Sequence, residues 1–179
     1  PRRLLIITAA AFGTLYFLDL RRILPTGVGV HWVSAIWMSL GIDFSRGIVY
    51  RPLVSDVGFG GTRYFPLWFV VHGTLLRLGL SPVTAGYLIC LTSVAALVIG
   101  AARLMGEVGV PRSIGWPLAV LTLCSIAGVH AATTIRGDIL PAALNMWGVV
   151  LALRLFANGR VRAMALPALL FVAAIVAKI

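Results

Sequence analysis

Residues 83–103, VTAGYLICLTSVAALVIGAAR, carry no charge before the closing Arg103 and contain no proline. At about 1.5 Å of rise per residue, such a stretch makes a helix about 30 Å long, the thickness of a bilayer's hydrocarbon core. A backbone in that medium must satisfy its own polar groups, and a helix does so without outside partners. The stretch reads as a membrane span, which fixes the solvent against which every other residue is judged.

Four further stretches, 4–20, 114–133, 139–157 and 163–179, are apolar, almost free of charge and nearly as long. The chain is 60% hydrophobic and 11% charged, with mean hydropathy +1.03, against about 25% charged in ordinary globular domains. The expected fold is all-α: one polytopic transmembrane helical bundle over residues 1–179, an integral membrane protein. A net charge of +10 would suggest a nucleic-acid partner in a soluble domain. Here the arginines sit between spans, where they orient helices, so the partners expected are membrane lipids and no nucleic acid. Cys90 and Cys124 both fall inside spans and read as small apolar packers. The chain opens on Pro1 and stops within an apolar run, the pattern expected of the N-terminal part of a longer protein.

Topology turns on PLWFVVHGTLLRLGL, residues 66–80, which carries His72 and Arg77. As a helix it is only about 22 Å long. If it crossed, the loop holding Arg160 and Arg162 would lie outside, against the positive-inside rule. If it lies at the outer surface, Arg2, Arg3, Arg103, Arg112, Arg160 and Arg162 all fall inside. The second arrangement makes residues 19–82 one long outer loop. Within it, HWVSAIWMSL at 31–40 puts Trp32, Val33, Ile36, Trp37 and Leu40 on one helical face, so an interfacial helix is expected over 31–41 with Gly41 as its stop. A second interfacial helix is expected over 66–80. Asp56–Thr62, DVGFGGT, reads as a glycine-rich turn and lacks the Gly-Lys-Ser/Thr of a phosphate loop.

The acids are few: Asp19, Asp43, Asp56, Glu107 and Asp138. Asp138 follows Arg136 and Gly137 at a helix start, where it can cap the helix or serve chemistry; a carboxylate near membrane depth is costly unless paired or functional. Asn145 lies on the same helical face. Asp19 ends the first span before Arg21 and Arg22, either as an interfacial ion-pair partner or as a metal ligand or proton acceptor in an outer cavity. Asp43 can serve the same roles, while Glu107 reads as a solvated charge. Arg63 and Tyr64, before Pro66, suit a phosphate held by a guanidinium, with Arg51, Arg77 and Lys178 as companions, or else they anchor headgroups. His31, His72 and His130 have no i, i+4 spacing, so a zinc site is not expected.

The order of these parts resembles the GT-C superfamily of membrane glycosyltransferases, nearest to members of the lipopolysaccharide-core and dolichyl-phosphate-mannose-dependent types. The likeness rests on Gly47, Tyr50 and Pro52 after a loop helix, on Tyr64, Pro66 and Leu67 before a short helix, and on Arg136 and Asp138 at a helix start. It implies a GT-C-like bundle with amphipathic helices in its first outer loop, in the plasma membrane of a bacterium. The implied activity moves a sugar from a polyprenyl-phosphate carrier to a lipid, glycan or protein acceptor at the outer face. A first-loop acid would act as base or bind a divalent metal such as Mg or Mn. Where relatives place that acid, this chain reads Gly29-Val30-His31-Trp32, leaving Asp19, Asp43 or His31 for the role beside Asp138. Arg63, Tyr64, Arg136, Asn145 and Lys178 would contact substrate. The rival readings are a transporter or flippase, which would line a path with the same polar groups, and a non-catalytic scaffold; polar residues gathered at helix ends rather than mid-span favour surface chemistry.

Overall fold

The computed structural model describes residues 1–178 except 28, 53, 56, 57 and 60–65. Eight α-helices account for most of these residues: α1 Arg2–Ile23, α2 Trp32–Ser45, α3 Leu67–Arg77, α4 Pro82–Glu107, α5 Arg112–Leu123, α6 Ile126–Thr133, α7 Ile139–Ala157 and α8 Ala165–Lys178. Between α2 and α3, β1 (Val54–Ser55) and β2 (Gly58–Phe59) form a short antiparallel ladder. Three helical segments are long and apolar enough to cross a membrane: Arg2–Thr26, which is α1 with the 3₁₀ turn that follows it, together with α4 and α7.

Local chemistry sets the helix limits. Ser81 accepts from the Thr84 N–H at 3.2 Å and Pro82 takes the first turn, so α4 starts there. α4 and α7 run side by side in the same direction: the Trp147 indole N–H donates to the Ala96 carbonyl at 3.0 Å, and Met146 packs on Gly100. Phe171 of α8 packs on Gly148 of α7 in the same way. Small residues at such contacts let helices approach closely where lipid supplies no hydrophobic drive. One end of the bundle carries α2, α3 and the starts of α4 and α7. The opposite end carries the 108–111 turn and the connection to α8, with Arg103, Arg112, Arg154, Arg160 and Arg162.

Two expectations need correction. Residues 114–133 are not one continuous helix: α5 ends at Leu123 and α6 starts afresh at Ile126. Ser125 causes the break, because its hydroxyl accepts the Gly128 N–H at 3.2 Å as a new N-cap. Gly128 then sits so close to the Leu123 carbonyl that no Cβ would fit. Its own carbonyl accepts from the Tyr16 hydroxyl at 3.2 Å, which ties the start of α6 to α1. The segment expected over 163–179 is described to Lys178: a 3₁₀ turn, Val161–Met164, leads directly into α8.

Gly41 is not a helix stop either. α2 runs through it to Ser45, and the His72 ring occupies the space a Cβ would take. His72 is fully buried, stacks on Trp68 with 4.9 Å between ring centroids, and donates from Nε2 to the Pro82 carbonyl at 2.9 Å. One imidazole thereby joins α2, α3 and the start of α4. The surrounding core holds Trp37, Trp68, Phe69, Tyr87, Ile89 and Ile135, so a buried aromatic core lies at the end that carries the polar candidates. Arg77 completes the junction, donating to the Phe44 and Ser45 carbonyls at 2.9 and 3.1 Å and lying over the Phe44 ring. It closes the C-terminus of α2, where free carbonyls and the helix dipole favour a cation.

Candidate functional site

The connection between α6 and α7 is held from two sides. Ile135 is fully buried, with its side chain against Gly86 of α4. Gly137 lies under the Trp37 ring of α2, and a Cβ there would fall inside the indole. The two residues flanking these anchors, Arg136 and Asp138, therefore project from a fixed backbone. The Arg136 Nε lies 3.0 Å from Asp138 Oδ2, and both side chains are about two-fifths exposed, at 39% and 40%. This is an ion pair by distance, although the Nε–H does not point along a hydrogen bond to the oxygen.

His130, in the last turn of α6, extends the cluster. Its Nε2 is 3.4 Å from Arg136 Nη1, and its Nδ1 is 3.2 Å from the Thr134 hydroxyl. A guanidinium nitrogen only donates, so the Nε2 accepts, and in the neutral ring the proton sits on Nδ1 facing Thr134. The His31 ring lies nearly parallel to it, with 6.4 Å between centroids and 15° between planes. His31 is the N-cap of α2, its Nδ1 accepting the Val33 N–H at 3.2 Å, which leaves its proton on Nε2. Two imidazoles, a guanidinium and a carboxylate thus meet from three separate segments.

Asp138 occupies the residue before α7 but makes no side-chain cap bond, and its backbone is already helical at φ −78°, ψ −34°. Its carboxylate turns to Arg136 instead. Asn145, two turns along α7, is exposed. Asp19 is exposed on α1, and no described residue pairs with it. Asp43 is buried at the far end of α2 from His31, about 18 Å along the helix. Arg51 grips it bidentately at 2.6 and 2.7 Å, and the bond and charge of Asp43 raise the Arg51 pKa. That pair staples the loop after α2 to its own helix and stands apart from the cluster. Lys178 is the last residue of α8, whose neighbours are α7 and α3. Arg63 and Tyr64 lie outside the described residues.

His130 was not among the residues expected from sequence. The signal was there: four residues before Thr134 and six before Arg136, on an α6 that ends at Thr133. Spacing rules for metal sites do not detect an imidazole whose partners are a hydroxyl and a guanidinium. Among the described residues, no three His, Cys, Asp or Glu side chains gather as a metal site.

The cluster offers a cation for an anionic group and a carboxylate for a proton, side by side at a helix-end surface. The chain matches no protein-family model, and no curated protein or solved structure is significantly similar to it.

Proposed function

We propose that this chain is part of a membrane glycosyltransferase that takes a sugar from a polyprenyl-phosphate carrier and transfers it to an acceptor hydroxyl at the outer membrane face, in a bacterial plasma membrane. One observation carries the reading: Arg136, Asp138, His130 and His31 meet at one end of an apolar bundle, on a loop fixed by buried neighbours. A carrier of this kind has a chain that belongs in lipid and a phosphate that seeks cations, so its reactive bond sits at such a surface.

Arg136 holds the phosphate, and His130 keeps its guanidinium in place through Nη1. The acceptor hydroxyl attacks the anomeric carbon and gives its proton to Asp138. The bond from that carbon to the phosphate oxygen breaks, and the polyprenyl phosphate leaves with the electron pair. Negative charge grows on the leaving oxygen beside Arg136, where a fixed cation lowers the barrier most. No nucleotide takes part.

Membranes holding the full chain, given a polyprenyl-phosphate sugar and no nucleotide sugar, are expected to form a covalent glycosylated product. Solute movement across sealed liposomes without a covalent product would replace this reading with the transporter.

A further inference from the structure

α4 is longer than the hydrocarbon it crosses. Its 26 residues make about 39 Å of helix against a core of about 30 Å, so its ends reach headgroup depth. At the Glu107 end the chain turns back at once. Gly109 takes φ 86°, the Val110 N–H donates to the Met105 carbonyl at 2.9 Å, and α5 starts at Arg112. A Cβ on Gly115 would lie 3.4 Å from the Met105 Cβ, so the two helices close against each other just past the turn.

A cavity of about 550 Å³ lies at this turn, lined by Arg103, Gly106 and Glu107 of α4 and by Arg112 and Trp116 of α5. Arg103 and Glu107 are four residues apart, as are Arg112 and Trp116, so each pair shares one face of its helix. A Cβ on Gly106 would meet nothing within 4 Å, which leaves the space over α4 open. Arg103 and Trp116 each sit about 6 Å inward from the helix end at the turn. That is the level where an indole settles at the membrane interface and an arginine stem reaches outward along lipid.

The cavity is rich in cations that the protein does not neutralise. Among the described residues neither Arg103 nor Arg112 has an ion-pair partner, although Glu107 lines the same space. α5 opens on Pro111 with no side-chain cap and no acid in its first turn, so its positive end adds to the same field. Two guanidiniums against one carboxylate leave one positive charge in excess. A phosphodiester carries one negative charge, and its oxygens suit the guanidinium fork. Glu107 then accepts from a hydroxyl of the headgroup. The indole on the wall and the adjoining span favour a lipid over a free phosphate.

We infer that this cavity holds the headgroup of an anionic phospholipid, its phosphodiester on Arg103 and Arg112. The site lies at the opposite end of the bundle from Arg136 and does not depend on the transferase reading.

The test places a photo-crosslinking amino acid singly at Gly106 and at Leu153, in the full chain in phosphatidylcholine vesicles containing a minor fraction of radiolabelled phosphatidylglycerol. Leu153 is exposed on α7, four residues from the end of that helix, and so reports lipid at the same depth outside the cavity. Labelling is expected at Gly106 well above Leu153. Unlabelled phosphatidylglycerol is expected to displace it, while inorganic phosphate and phosphatidylethanolamine are not. Arg112→Gln is expected to lower the Gly106 label about tenfold, as for loss of a charge-assisted hydrogen bond, and to leave the Leu153 label as it was. Should the Gly106 variant fail to fold, mass spectrometry of the detergent-solubilised wild type repeats the comparison. It is expected to retain phosphatidylglycerol over phosphatidylcholine, and Arg112→Gln is expected to lose that preference. Equal labelling at the two positions, as diffuse attraction of anionic lipid to a basic end would give, would overturn the inference. So would displacement by inorganic phosphate, displacement by phosphatidylethanolamine, or retention of both lipids alike.

Discussion

At the residue scale, His72 and Gly41 form a pair whose fit is testable on both sides. Gly41→Ala pushes a methyl into the imidazole, and overpacking of this kind costs about 1–3 kcal/mol. The variant is expected to unfold at lower temperature in detergent, while Gly106→Ala, on an open helical position, is expected to change little. Burial lowers the His72 pKa, and its bond to the Pro82 carbonyl offsets only part of that. The folded protein therefore binds this proton less readily than the unfolded chain, whose His titrates near 6.5. Stability from this group is full above about pH 6.5 and declines as pH falls from there toward the folded pKa. A melting temperature that drops between pH 7.5 and 5, with a shallower drop in His72→Phe, is the expected result; parallel curves would contradict it. Neither role was legible from sequence. A glycine near the end of an apolar run reads as a stop until the ring that fills its space is known, and a lone histidine carries no sign of its burial.

The elements were legible to the degree that charge and length defined them. The all-helical class follows from apolar stretches that only helices can carry through lipid. The interruption at Ser125 did not stand out, because Cys124, Ser125 and Gly128 are small enough to pass within a span. Its stability is measurable: Ser125→Ala removes the α6 cap and is expected to cost about 1 kcal/mol. Asp138 shows the opposite case. An acid before a helix reads as a cap, yet its carboxylate is spent on Arg136 and makes no cap bond. Asp138→Asn is therefore expected to shift stability by less than about 1 kcal/mol, the scale of an acidic charge at a helix start.

For the whole molecule, the proposed function needs α2, α3 and the Arg136 cluster on one face of the membrane and the arginine-rich turns on the other. With Cys90 and Cys124 replaced by Ala, single cysteines at the exposed positions Leu78, Val108 and Asn158 report this directly. An impermeant thiol reagent on intact cells is expected to label Leu78→Cys alone. Labelling of Asn158→Cys would place the connection to α8, with Arg160 and Arg162, on the wrong side. Within that frame, the cluster's parts came from positions far apart in the chain, 31, 130, 136 and 138. Sequence marked Arg136 with Asp138, and His31 apart from them; packing of Trp37, on the helix that His31 caps, over Gly137 brings them together.

The most direct test of the central claim is the rate of sugar transfer from a polyprenyl-phosphate donor in membranes holding matched amounts of folded full chain, wild type against Asp138→Asn. Removal of the proton-accepting carboxylate is expected to slow transfer by about 10²-fold or more, in the range seen when a general base is lost. Transfer by Asp138→Asn at near the wild-type rate would contradict the account.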